Sequence, residues 1–261
     1  MLSHLQIRIL WLLGIVVICG LGILLLDPIP QDPNYHRFAD DRPYFGIPHF
    51  LNVISNFPLM LVGIVGLGWA LKVRNVAPDP LLLLPYGIFF AGVFLTGVGS
   101  CYYHVFPDNK TLVWDRYPMT LAFMALFSAI LMEHVSRKGG MILLPGLLLL
   151  GFFSVWYWGH TERLDLGDLR LYGGVQFVPL LLIPFILAWF RSGYSKRHYF
   201  FYALGFYGLA KVLEHFDREI FQATGVVSGH SLKHLAAALA AFVILFMLCH
   251  RQSQEKPGGI L

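Results

Sequence analysis

Residues 98–119 read VGSCYYHVFPDNKTLVWDRYPM. An apolar run ends in Ser100 and, four residues on, His104. A short polar turn with Pro107, Asp108 and Asn109 follows, and Asp115 opens the next apolar run. Side chains at i and i+4 share a helix face, so Ser100 and His104 point the same way, with Ser100 one turn deeper. A turn this short sends the chain straight back, which returns Asp115 to nearly the level of His104. Read so, the stretch is a helical hairpin at a membrane edge, and the fold is a bundle of membrane helices.

The rest of the chain agrees. Its 261 residues are 57% hydrophobic and 13% charged, with mean hydropathy +0.64. Soluble domains carry about 25% charged residues. The net charge of +4 sits in short basic clusters between apolar runs. That pattern orients a membrane protein and excludes a nucleic-acid partner, and no soluble protein partner is implied. Cys19, Cys101 and Cys249 all fall in apolar runs, at spacings that match neither a zinc ribbon nor a disulfide framework.

Eight apolar runs come near the roughly 20 residues that cross a bilayer. They lie at about 7–26, 48–71, 81–103, 117–133, 140–158, 172–190, 199–215 and 230–249. The first has no small-residue cleavage site after it and reads as a retained signal anchor, residues 1–30, ahead of a domain at 31–261. The loops alternate. One set carries Arg8, Lys72, Arg74, Arg137, Lys138, Arg191, Lys196, Arg197, Arg251 and Lys256. The other holds most of the acids. With eight spans this places both termini in the cytoplasm and the acidic loops outside. "WYW" at 156–158 and Trp114 read as interfacial anchors.

Ionisable groups inside spans are expensive and mark function. Here they gather at the outer ends: Asn52, Ser55 and Asn56, Ser100 and His104, Asp115, Gln176, Lys211 with Glu214, then His230 and His234. The inner halves are nearly all apolar. One shared polar cavity on the outer side explains that distribution, with Asn52, Ser55, Asn56, Gln176 and Lys211 lining it. Lys211 and Glu214, at i and i+3, read as a structural ion pair. A transporter path would need polar groups through the inner half as well.

"GHSLKH" puts His230 and His234 on one helix face, a spacing that chelates one metal. Such a pair also serves as a plain hydrogen-bonding pair, and Ser100 or Asp115 alone reads as a helix back-bond or an N-cap. Their convergence on one depth argues instead for a site. His104 has the depth of a third ligand, and three imidazoles leave a fourth position open on zinc. Asp115 could then move protons, and Ser100 could orient a water or support an oxyanion, which points to amide or ester hydrolysis within the outer leaflet.

Four motifs, "NVISN" (52–56), "GSCYYH" (99–104), "DRYPM" (115–119) and "GHSLKH" (229–234), resemble the alkaline ceramidase family. That family belongs to a wider group of seven-span hydrolases that includes the progestin and adiponectin receptors. The resemblance covers about residues 36–250. It implies an all-α, seven-helix bundle with one extra N-terminal transmembrane helix here. It implies zinc on His104, His230 and His234, with Ser100 and Asp115 serving the water that cleaves the ceramide amide bond. A lipid ester hydrolase, or a receptor with a structural zinc, would share these residues. Animal members also bind Ca2+ before their first core span. Asp40 and Asp41 are the candidate ligands here, although His49 stands near the place of a family glutamate.

Overall fold

The computed structural model describes residues 3–77 and 79–254; Lys256 lies outside the described residues. Helices dominate: α1 (His4–Leu25), a 3-10 turn at Pro33–His36, α2 (Phe50–Ile54), α3 (Phe57–Val73), α4 (Leu83–Val105) and α5 (Asn109–His134) come first. Then follow α6 (Arg137–Glu162), α7 (Arg170–Trp189), α8 (Tyr199–His215), α9 (Asp217–Thr224) and α10 (Gly229–His250). Among the described residues the extended pairings are two isolated bridges. The protein is an all-α membrane bundle.

Among the described residues, six helical segments are long and apolar enough to cross a bilayer: α1, α2 with α3, α4, α6, α7 and α10. The sequence reading counts eight. α8 falls short at 17 residues, and α5 carries Lys110, Asp115, Arg116 and Glu133 along its length. Both nonetheless pack within the same bundle. α5 is the hub, packed on α4, α6 and α7, while α10 packs on α3 and α8. α1 packs on α7.

α5 starts earlier than hydropathy suggests. Asp108 caps it, accepting from the Thr111 amide at 2.7 Å, while the Thr111 hydroxyl takes the Asp108 amide at 3.2 Å. This reciprocal box satisfies donors that a helix start leaves open. Asp115 is therefore a helix-interior residue in the second turn, not a cap, and Pro118 lies inside the helix.

In lipid the hydrophobic effect does not drive helices together, so close approach of small residues does much of the work. A methyl group on Gly99 would sit 2.1 Å from the Trp114 carbonyl oxygen; one on Gly92 would sit 2.7 Å from the Ala122 amide nitrogen. These two contacts fix how α4 and α5 mate. At the opposite end, Glu133 accepts from the Tyr86 hydroxyl at 2.7 Å and from Arg251, whose guanidinium lies over Tyr194. Asp79 is held by Arg137 at 2.6 Å.

Gly99→Ala should destabilise the bundle by about 1–3 kcal/mol, the usual cost of overpacking. Gly68→Ala, which meets no atom within 4 Å, should stay within about 0.5 kcal/mol. Equal thermal midpoints for the two variants in one detergent would refute the close-approach account.

Candidate metal centre

The three imidazoles come from two helices. His104 closes α4, while His230 and His234 occupy the first turns of α10. Ser228 caps α10, accepting from the Ser231 amide at 3.1 Å. Asp217 fixes the same turn, accepting from the His230 amide at 2.7 Å and, through its other oxygen, from the Ala39 amide at 2.9 Å. A methyl on Gly229 would sit 2.1 Å from the Leu213 carbonyl oxygen, so α10 starts pressed against α8.

All three histidines are buried, and their ligand atoms lie within 4.8 Å of one another. The Nε2 atoms of His104 and His230 are 3.3 Å apart. Two imidazole nitrogens bound tetrahedrally at about 2.0–2.1 Å to one ion stand about 3.3 Å apart, so the pair has the right spacing. The outer nitrogens are arranged to match. His234 Nδ1 is 2.8 Å from Ser55 Oγ, whose own proton goes to the Asn52 carbonyl at 3.1 Å. The His234 ring must then donate from Nδ1, which leaves Nε2 free as a ligand. His104 Nδ1 has no partner. Without a metal, one of these two Nε2 atoms can carry the proton and donate to the other; with both rings protonated on Nδ1, both lone pairs face one point that a cation can occupy. The group can hold a metal ion.

The segment before α2 roofs the centre. The Phe38 ring lies edge-on to His104 and to His230, at 4.6 Å in each case. His49 Nδ1 donates to the His104 carbonyl at 2.9 Å. That roof excludes water from one side.

On the other side a cavity of about 740 Å³ opens, and Ser100, Asp115 and His234 all line it. The Ser100 hydroxyl stands beside the Asp115 carboxyl. Asn56, Gln176 and Lys211 also line the cavity, as the sequence suggests. Asn52 and Ser55 do not; they sit behind the histidines. Asn52 Oδ1 accepts from Ser231 Oγ at 2.7 Å, and its amide donates to the Asp40 carbonyl at 3.2 Å. Lys211 pairs with Glu214 at 2.7 Å, but Glu214 is shared, since Lys233 reaches it at 2.6 Å. Lys233, Asp217 and Tyr35, whose hydroxyl donates to Glu214 at 3.3 Å, escape sequence reasoning, because such residues acquire a role only through tertiary contacts. "GHSLKH" did carry one clue, its own Lys233 beside the two histidines.

Two expectations change. Asp40 is buried, and Arg42 takes both its oxygens, at 2.7 and 2.9 Å; Asp41 is exposed. The Asp40 carboxylate is thus engaged by Arg42, and the group of three or more metal-capable side chains found among the described residues is the histidine one. Trp158 is fully buried rather than interfacial. Its indole donates to Glu162 at 3.0 Å and carries the Arg116 guanidinium over its face at 4.1 Å. Asp168 caps the first turn of α7, accepting from the Arg170 amide at 3.0 Å. The Arg170 guanidinium beside it holds its carboxyl below the usual range.

Fold and site together define a multi-pass, all-helical membrane protein with a buried three-histidine group beside a lipid-depth cavity. Comparison with protein-family models and with curated proteins finds no match.

Ser55→Ala leaves the His234 ring unanchored. It should loosen a bound divalent ion about 10- to 100-fold, measured by competition with a chromogenic chelator. An unchanged affinity would show that the serine does not orient the ligand.

Proposed function

We propose that this protein is a zinc-dependent membrane hydrolase that cleaves a lipid amide, with ceramide or a related N-acyl sphingolipid as substrate. The observation that carries the reading is the single cavity lined by Ser100, Asp115 and His234, next to the three-histidine group. Its walls are otherwise mostly apolar, from Leu59, Met119, Phe177 and Leu181 among others. Three nitrogen ligands and an open fourth position are the donor set of a catalytic zinc. Zinc held there would act as a Lewis acid and lower the pKa of water towards about 7.

The chain's own residues do the rest. Asp115 takes the proton of the attacking water and gives it to the leaving nitrogen. The C–N bond breaks, a C–O bond forms, and a fatty acid and an amine leave. Ser100 donates to the oxygen on which charge develops. Phe38 and the segment around it keep bulk water from the centre, which strengthens each of these interactions. The four motif resemblances to alkaline ceramidases support the same reading. An ester would meet the same groups, so amide against ester is settled by assay. The inner end is closed by Glu133, Arg251 and Tyr86, which disfavours a conduit.

The alternating loop charges support cytoplasmic termini and a site on the outer side.

Purified protein should carry about one zinc per chain and hydrolyse N-acyl lipids, losing activity to chelator and regaining it with zinc. A panel of N-acyl and O-acyl lipids separates amidase, esterase and non-enzyme. No hydrolysis of any lipid by the zinc-loaded protein would sink the proposal.

Asp115→Asn should lower turnover by about 10²- to 10⁴-fold, the span of general acid–base catalysis, while zinc content stays the same. Normal turnover per bound zinc would remove Asp115 from the chemistry.

Lys110 is exposed in the first turn of α5, next to the turn after α4. In a chain with its three cysteines replaced, Lys110→Cys should react with an impermeant maleimide added to intact cells. Reaction only after permeabilisation would invert the orientation.

A further inference from the structure

α1 is the least buried of the candidate spans and packs on α7. A helix that served only as an anchor would have no reason to face the site. Yet Cys19, Gly22, Ile23 and Leu26, at i, i+3, i+4 and i+7, line the same cavity as Ser100 and Asp115.

The contact is built from both sides. Gly174 on α7 leaves room for Ile23, since a methyl there would sit 2.7 Å from Ile23 Cδ1. Both ends of α1 are tied to α7 as well. Arg8 donates to the Trp189 carbonyl at one end, and Arg170 donates to the Leu26 carbonyl at the other. The Leu169 amide adds a bond to the Ile29 carbonyl at 2.8 Å. α1 is thus held in register along α7, with one stripe turned to the cavity and the opposite face bare.

A second, smaller pocket of about 160 Å³ continues from the cavity towards the inner end, lined by Val93, Phe123, Ile183, Phe200 and Ile244 among others. The two volumes share Leu59, Met119, Gln176 and Tyr207, and Gln176 donates to the Tyr207 hydroxyl at their junction. From the polar groups, then, apolar space runs in two directions: down between α4, α5, α8 and α10, and sideways along α7 to α1.

We propose that α1 is a wall of the substrate site, against which one hydrocarbon chain of a two-chain lipid lies while the other descends into the deeper pocket. This rests on the lipid-hydrolase reading. It assigns Ile23 and Gly22 as positioning residues for one chain, in addition to the groups that act on the amide. Asp115, Lys211 and Glu214 lie at the fork; Arg170 lines the side arm only where it meets the Leu26 end of α1, and the deeper pocket has no charged side chain in its wall, which suits uncharged chains.

The test uses the full-length protein in bilayer nanodiscs with a ceramide carrying a photoactivatable diazirine in its acyl chain, and a second one with the diazirine in the sphingoid chain. Peptide mapping should place label from one of the two on residues 19–26. Ile23→Trp, which fills the arm, should remove that label, whereas Leu24→Trp, on the 74% exposed face, should leave it. No label on α1 from either probe, or equal labelling of the Ile23→Trp protein, overturns the proposal. Crosslinking needs binding and not turnover. A protein that labels on α1 yet hydrolyses nothing would sink the hydrolase reading and keep the wall, and hydrolysis without α1 labelling would do the reverse. In turnover, Ile23→Trp should cut kcat/KM for long-chain lipids about tenfold relative to short-chain ones, roughly the effect of excluding two methylenes. Equal losses at all chain lengths would likewise count against the wall.

Discussion

The contact of Gly99 with the Trp114 carbonyl is the constraint on which the site depends. It lets the backbones of α4 and α5 touch at the level where each carries its polar groups. Ser100 follows Gly99, and Asp115 follows Trp114, so the backbone contact sets the serine beside the aspartate. One turn further along α4, His104 meets the imidazoles of α10. A larger residue at position 99 would spread the helices, and the partners would separate although every side chain remained. Where lipid surrounds the bundle, backbone proximity of this kind carries packing that apolar burial supplies in water.

Around that contact the polar interactions are layered. Ser55 holds His234, and Asn52 links Ser231 to the Asp40 carbonyl. Asp217 ties the start of α10 to the segment that roofs it. Each of these groups is at low dielectric, where an unpaired donor or acceptor is costly and a paired one is rigid. The exception is informative: the facing Nε2 atoms of His104 and His230 have only each other. The polar network around the histidines thus leaves two ring nitrogens facing each other where a cation fits.

Much of this was legible in the sequence, for stated reasons. Spacing carried the hairpin and the pair His230 and His234, because i and i+4 fix a shared face whatever surrounds them. Depth carried Ser100 and Asp115 into one cavity, and His104 into the histidine group beside it. Where side chains compete for partners, the sequence was less informative. Asp40 reads as an acid open to calcium until Arg42 takes both its oxygens. Trp158 reads as an anchor until Arg116 stacks on it. The start of α5 was displaced because hydropathy sees only the apolar part of a helix that Asp108 begins in the polar turn. The place of α1 was invisible, since a uniformly apolar helix has no face that hydropathy can choose.

The two ends of the bundle are built on opposite principles. At the end away from the histidines, opposite charges are paired and closed over: the Arg251 and Glu133 side chains are both buried, and Tyr86 and Tyr194 complete the enclosure. Such a pair costs desolvation on both sides and contributes little net stability compared with apolar packing, so its value lies in fixing one arrangement. At the site end, Glu214 is shared by two lysines, and Asp115 stands with no salt-bridge partner among the described residues. A bundle locked at one end can hold an under-paired cluster at the other without rearranging to satisfy it. That asymmetry, rather than any single residue, is what allows an under-paired carboxyl group to stay buried inside the bundle.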